Sequence, residues 1–93
     1  MSESNCKQHK PEVEKYNGSP EELVKDLGDL RYDALSKFLK ELSQKIKADG
    51  EKDAHRERTK LAHALKNSSE KLMESASYIN EAWEISKPYM NDN

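Results

Sequence analysis

The chain contains no proline between Pro20 and Pro88, and its three glycines stand at positions 18, 28 and 50. So few turn residues leave little opportunity for the repeated chain reversals that a β-sheet needs. Apolar residues in the proline-free stretch recur at intervals of three and four, which is the spacing of one side of a helix. We therefore predict an all-α protein with two long antiparallel helices. They form a helical hairpin that completes a four-helix bundle as a homodimer.

The first helix should begin at a capping box. Ser19 suits the N-cap position and Pro20 suits the first helical position, where its missing N–H group does no harm. Glu22 lies three residues after Ser19, so its carboxylate can accept a hydrogen bond from the N-cap backbone. The helix is therefore predicted to start at residue 20.

Two glycines limit this first helix, which we predict to span about 20–49. Gly28 either permits a close helix contact or kinks or breaks the helix, in which case Asp29 caps the helix that follows. Gly50 is a natural stop signal, because glycine is the usual residue just past a helix C-terminus. The chain should therefore turn near 49–52.

The rest of the chain divides into a second helix and two tails. The second helix is predicted over about 53–87, because Pro88 disfavours helical geometry for the residue before it. Residues 1–18 hold few apolar groups and cannot offset the entropy of ordering them, so we predict a flexible polar tail. The hairpin domain should then cover 19–90, with a short second tail at 91–93.

The apolar residues of both helices fall mainly on one side of each helix. A lone hairpin would leave half of this surface in water, so we predict that a second copy of the chain covers it. We call these residues the apolar seam, and they are the predicted interface: Leu35, Phe38, Leu39, Leu42, Ile46, Leu61, Leu65, Leu72, Ala76, Ile79 and Trp83.

Serines in the second helix raise the question of chemistry or packing. Ser68, Ser75 and Ser86 lie on the flank of the seam, where a small side chain lets a neighbouring helix approach. We expect their hydroxyls to bond to a carbonyl one turn earlier. Ser69 and Ser77 fall outside the seam and are predicted to be solvated.

The charges are unevenly distributed along the predicted hairpin. Residues 37–66, around the turn, carry nine basic and five acidic groups, a net charge of +4. Residues 21–33 sum to -3 and residues 68–87 to -2, so the tip is basic and the open end acidic. Two hairpins with opposite polarity would match these charges, which predicts an antiparallel dimer. Nucleic-acid binding is not expected, because the tip mixes both signs and the whole chain has a net charge of -2.

No cysteine or histidine pattern indicates a metal site. Cys6 and His9 make only half of a zinc site, and the chain has no second cysteine. His55 and His63 point away from the seam and lack the spacing of a helical metal motif. We predict solvated histidines and no bound metal.

Three aspartates are the remaining candidate for chemistry. Asp26, Asp29 and Asp33 share a side of the predicted first helix, and their spacing resembles the acidic helices that hold magnesium in nucleotide pyrophosphatases. The paired glutamates of such sites are missing, and the chain has no phosphate loop or catalytic triad pattern. We therefore predict no catalytic residue and no cofactor.

These observations predict a small, non-enzymatic protein–protein interaction or scaffold module that acts as a dimeric helical bundle on an unidentified protein partner. An alternative is a regulatory or inhibitory protein that docks its seam onto one larger partner. A third is a magnesium-dependent enzyme that uses the acidic side of the first helix. The polar N-terminus and the absence of a long apolar run predict a cytoplasmic protein with no membrane contact.

Overall fold

A computed structural model describes residues 9–90, and these residues form three helices and no strand. The helices are α1 (Pro20–Gly28), α2 (Tyr32–His55) and α3 (Thr59–Met90). The all-α prediction is confirmed over this part of the chain. The molecule is elongated, with principal dimensions of 54 × 29 × 14 Å. Its length follows from α3, whose 32 residues extend over about 48 Å at 1.5 Å per residue.

The N-terminus of α1 has the predicted capping box. The Ser19 hydroxyl accepts a hydrogen bond from the Glu22 N–H (3.1 Å), and the Glu22 carboxylate accepts one from the Ser19 N–H (2.8 Å). The helix ends at Gly28, so the predicted first helix is broken there rather than kinked. Asp29 closes α1 and does not cap α2, whose N-cap is Arg31 in an extended conformation.

The predicted turn near 49–52 is wrong. Gly50 is buried inside α2, which continues to His55, and the chain reverses at 56–58. Glu57 adopts a left-handed conformation with φ of 60°. Its N–H donates to the Ala54 carbonyl (3.0 Å), and the Arg58 N–H donates to the Asp53 carbonyl (2.9 Å). These two bonds are a Schellman motif, which satisfies the last carbonyls of α2 without a glycine.

The predicted end of the second helix at residue 87 is also wrong. The helix begins at Thr59 and continues through Met90, with Pro88 in its final turn. Proline removes one backbone donor and disfavours helical geometry before it, but the helix has only two more residues beyond Pro88. The loss is therefore confined to the last turn.

The main helix–helix contact among the described residues is between α2 and α3, which run in opposite directions. Ser36 of α2 bonds to Ala76 of α3, Ser43 bonds to Ser69, and a Cβ built on Gly50 lies 3.4 Å from the Ala62 carbonyl oxygen. Each step of seven residues forward on α2 matches seven residues backward on α3, which fixes one register for the pair.

Residues 1–8 of the predicted N-terminal tail, which include Cys6, lie outside the described residues. The predicted tail at 91–93 also lies outside them. Residues 9–18 form no helix or strand. The hydroxyl of Tyr16 donates a hydrogen bond to the Asp26 carboxylate (2.6 Å), which connects this segment to α1.

Candidate functional site: an apolar face on the α2–α3 pair

Small residues at every seventh position form the contact between α2 and α3. We call these residues the contact line: Ser36, Ser43 and Gly50 on α2, and Ala62, Ser69 and Ala76 on α3. A spacing of seven residues returns to nearly the same side of a helix, so the line stays between the helices along the pair.

The contact line brings the two backbones close together. The buried hydroxyl of Ser36 donates to the Ala76 carbonyl (2.7 Å), and the hydroxyl of Ser43 donates to the Ser69 carbonyl (2.7 Å). A Cβ built on Gly50 would stand only 3.2 Å from the Cβ of Leu65. Every buried side-chain nitrogen or oxygen within residues 9–90 has a hydrogen-bond partner. The contact is therefore complete as it stands.

This contact corrects the predicted roles of the serines. Ser69, expected to be solvated, is only 3% exposed, and its hydroxyl bonds back to the Lys66 carbonyl (3.1 Å). Ser68 and Ser75, expected to pack against a neighbouring helix, are exposed. The reason is that α2 packs against the smallest residues of α3, and a strip centred on leucines would hold the helices farther apart. α3 is thus turned by about 50–60° from the predicted orientation, and Ala76 and Trp83 belong to both strips.

The contact line determines where the apolar seam points. Because α2 and α3 are antiparallel, residues one position before or three positions after the line point to the same broad side of the pair on both helices. These positions hold eight of the eleven seam residues, and we call them the apolar face: Leu35, Leu39, Leu42, Ile46, Leu61, Leu65, Leu72 and Ile79.

The other three seam residues lie elsewhere. Ala76 belongs to the contact line and is 1% exposed, which makes it the one buried apolar residue of the described part of the chain. Phe38 lies at the edge of the face and is exposed. Trp83 lies one heptad beyond Ala76, at the end of the contact line, and is half-buried.

The apolar face is open in the single chain. Leu42 is 36% exposed and Leu61 45%, and the other six residues are half-buried. α1 makes little contact with the pair. No other helix formed by residues 9–90 therefore covers this face, and His9 borders it beside Leu61.

The opposite side of the pair is polar. Residues four positions after the contact line include Lys40, Lys47 and Lys66, all exposed. Near the turn, Lys47 and Lys66 line one shallow hollow with Gly50 at its floor. Asp49 and Leu61, each one position before a contact-line residue, line a separate hollow. This is expected because their positions lie on the same side of the pair as the apolar face. The pair therefore has one apolar side and one mainly polar side.

A charged corner closes the open end of the pair. The guanidinium of Arg31 lies 5.3 Å from the ring centre of Trp83, within cation–π range. It also donates two hydrogen bonds to Asp33, of 2.6 and 2.9 Å. These bonds, with a further one from the Ala34 N–H, hold the pKa of Asp33 below its usual value. Arg31 thus connects the link between α1 and α2 to Trp83 of α3.

The three aspartates do not form one acidic surface. The break after Gly28 places Asp33 on a different helix from Asp26, so the predicted shared side of one helix does not exist. Asp26 accepts the hydrogen bond from Tyr16 and raises the pKa of that phenol, and Asp29 pairs with Lys25 (2.8 Å). No three metal-ligating side chains come together within residues 9–90.

His55 and His63 are both exposed. None of the helices formed by residues 9–90 combines the length and the apolar character needed to cross a bilayer. Comparison with known proteins finds no protein-family model, no curated protein and no solved structure that matches the chain.

Proposed function

We propose that this protein is a small, non-enzymatic interaction or scaffold module that works as a dimeric helical bundle. In this proposal a second copy covers the apolar face, and the two α2–α3 pairs make a four-helix bundle. The observation that supports it is the open apolar face beside a contact line that buries one apolar residue, Ala76. A helix pair with so small a core needs further apolar burial to be stable.

The face is small enough for one second copy to cover. From Leu61 to Ile79 it extends for about 27 Å at 1.5 Å per residue. Two adjacent helices are about 20 Å wide, so each copy offers about 540 Å². A stable protein–protein interface buries about 800 Å² on each partner, so residues that border the face would complete the contact.

The charge distribution favours an antiparallel arrangement. The turn region 37–66 has a net charge of +4, whereas residues 68–87 sum to -2. Antiparallel copies place the basic turn of one beside the acidic end of the other, and parallel copies place like charges together. Such charges on a surface set orientation more than they add affinity.

The outward surfaces are then free for other contacts. The polar side with Lys40, Lys47 and Lys66 stays in solvent when the apolar faces meet, and we propose that it contacts the unidentified protein partner. We propose no reaction, cofactor or metal for this module. Its cytoplasmic location stays a prediction from the sequence.

The mass in solution tests the proposal. Sedimentation equilibrium with reductant present should give a dimer at low and at high salt, because apolar burial is not screened by ions. Ile79→Asp places a charge on the apolar face and should abolish the dimer, with loss of helix by circular dichroism. Asn80→Asp introduces the same charge one position away, on the polar side, and should leave the dimer intact.

A monomeric wild-type chain would contradict the dimeric module. It would favour the alternative, a regulatory protein whose apolar face docks onto one larger partner. Equal behaviour of the two aspartate variants would show that the apolar face is not the interface.

A further inference from the structure

The shallow hollow on the polar side of the pair has an apolar floor and a charged rim. Gly50, Ala54 and Ala62 are small, so they leave the space between α2 and α3 unfilled, with a volume of about 350 Å³. This volume is at the lower end of the range for pockets that hold a ligand. Lys47 and Lys66 stand on the rim. The hollow can therefore receive one apolar side chain.

Two lysines face each other across the hollow. Gly50 contacts α3 beside Ala62, so Lys47, about one turn before Gly50, lies opposite Lys66, about one turn after Ala62. Thr59, the first residue of α3, also lines the hollow, and the first turn of this helix has no acidic residue. The positive end of the helix dipole therefore adds to the charge of the two lysines. Like charges placed opposite each other repel, and a carboxylate between them would remove the repulsion.

The carboxylates of the chain itself do not neutralise these lysines. Each has a glutamate four residues further along its own helix, Glu51 after Lys47 and Glu70 after Lys66. This order of charges is the less favourable one for an ion pair on a helix. Among residues 9–90, neither lysine forms an ion pair. Both ammonium groups can therefore pair with a carboxylate from another molecule.

We propose that the hollow binds an acidic segment of the protein partner. One apolar side chain of that segment fills the hollow, and a neighbouring Asp or Glu carboxylate pairs with Lys47 and Lys66. This inference deepens the proposed function and rests on it, because it names the chemistry of the partner that contacts the outward polar side. A nucleic-acid backbone would instead need a basic stripe, which Glu51 and Glu70 interrupt, and would gain nothing from an apolar floor.

A short peptide tests the site in the full-length protein. The probe is acetyl-Gly-Leu-Asp-Glu-Gly-amide. One control peptide has Ala in place of Leu, and the other has Asn and Gln in place of Asp and Glu. In amide N–H correlation spectra by NMR, the probe should shift the signals of Gly50, Ala62 and Lys66, with an affinity in the millimolar range because exposed ion pairs add little. Both control peptides should bind several-fold more weakly.

Two pairs of protein variants locate the binding site. Lys66→Gln should weaken binding of the probe about threefold, the effect of one exposed ion pair. Lys40→Gln removes the same charge about 10 Å further along the polar side and should leave binding unchanged. Ala54→Leu should fill the hollow and abolish binding. Ala48→Leu adds the same side chain at an exposed position of α2 outside the hollow and should have no effect.

Sedimentation equilibrium of the same samples separates this inference from the function proposed above. A wild-type dimer whose Gly50 and Ala62 signals do not respond to the probe would overturn the inference and leave the dimer standing. A monomeric wild-type chain that binds the probe at the hollow would overturn the dimer and leave the acidic segment standing.

The controls decide what the hollow recognises. Equal binding by Lys66→Gln and Lys40→Gln, or by Ala54→Leu and Ala48→Leu, would overturn the inference. Inorganic phosphate or a short single-stranded DNA that shifts the same signals as strongly as the probe would show a general anion site, and would also contradict the acidic segment.

Discussion

Glu57 is held in a conformation that costs free energy. Its φ of 60° is left-handed, where a side chain crowds the backbone and costs about 1–2 kcal/mol. Glycine has no such cost but loses more entropy on folding. We expect Glu57→Gly to raise the free energy of unfolding by about 1 kcal/mol, measured by urea denaturation at fixed protein concentration.

Glu51→Gly is the matched control. Glu51 is exposed within α2, so glycine there should lower the free energy of unfolding by about 1 kcal/mol. If both variants were destabilised alike, the turn at 56–58 would not require the left-handed conformation.

A glycine such as Gly50 can mark either the end of a helix or a close contact between two helices. Its position after Asp49 matches a helix stop, yet it serves to let α3 approach, with Leu65 only 3.2 Å from the site of a Cβ. The signal that distinguishes the two roles is long-range. Ser36 and Ser43 precede Gly50 at intervals of seven, and a local stop signal has no such periodicity.

Serine hydroxyls connect α2 to α3, and their contribution can be measured. Ser43→Ala removes a buried hydrogen bond of 2.7 Å to the Ser69 carbonyl. Ser77→Ala removes an exposed hydroxyl from α3 and carries the same change in helix propensity. The difference between the two variants should be about 1 kcal/mol in unfolding free energy, with Ser43→Ala the less stable. Equal stabilities would mean that the cross-helix bond makes no net contribution.

The orientation of α3 could not be predicted from hydrophobicity alone. The strip centred on Leu65 and Leu72 is the most apolar side of α3. A prediction from apolar residues at helical spacing therefore takes this strip as the buried side. The contact with α2 instead uses Ser69 and Ala76, because close backbone approach favours small residues and hydroxyl-to-carbonyl bonds. Leu65 and Leu72 remain half-buried beside it.

Helix ends were predictable where a local cap defines them. Ser19 with Glu22 fixes the start of α1 as predicted, because the capping box acts within three residues. The end of α2 depends on Glu57 adopting a left-handed conformation, and glutamate gives no sequence signal for it. The break after Gly28 was one of two alternatives that the sequence left open.

If the apolar face is covered by a second copy, stability should depend on protein concentration. The folded state is then the dimer, and a tenfold increase in concentration adds about 1.4 kcal/mol of stability. This added stability, divided by the unfolding entropy of two such chains, corresponds to a rise in Tm of about 3–4 °C, which circular dichroism can measure. A Tm that does not change with concentration would contradict the dimer.

The membership of the candidate surface was largely predictable, whereas its geometry was not. Eight seam residues lie on one side of the α2–α3 pair because apolar periodicity identifies a helix side reliably. Their place relative to the contact line depends on which residues the helices use to touch. That is a property of the pair and of no single helix. Their role as an interface stays a prediction.

The bonds from Ser36 and Ser43 end on backbone carbonyls, and every residue type supplies a carbonyl. Positions 69 and 76 therefore only need to be small, and alanine, serine or glycine would each keep the bond. Such a fold constrains few residue identities, so a chain that differs almost everywhere else can form the same contact. It needs only small residues at seven-residue intervals on two facing helices.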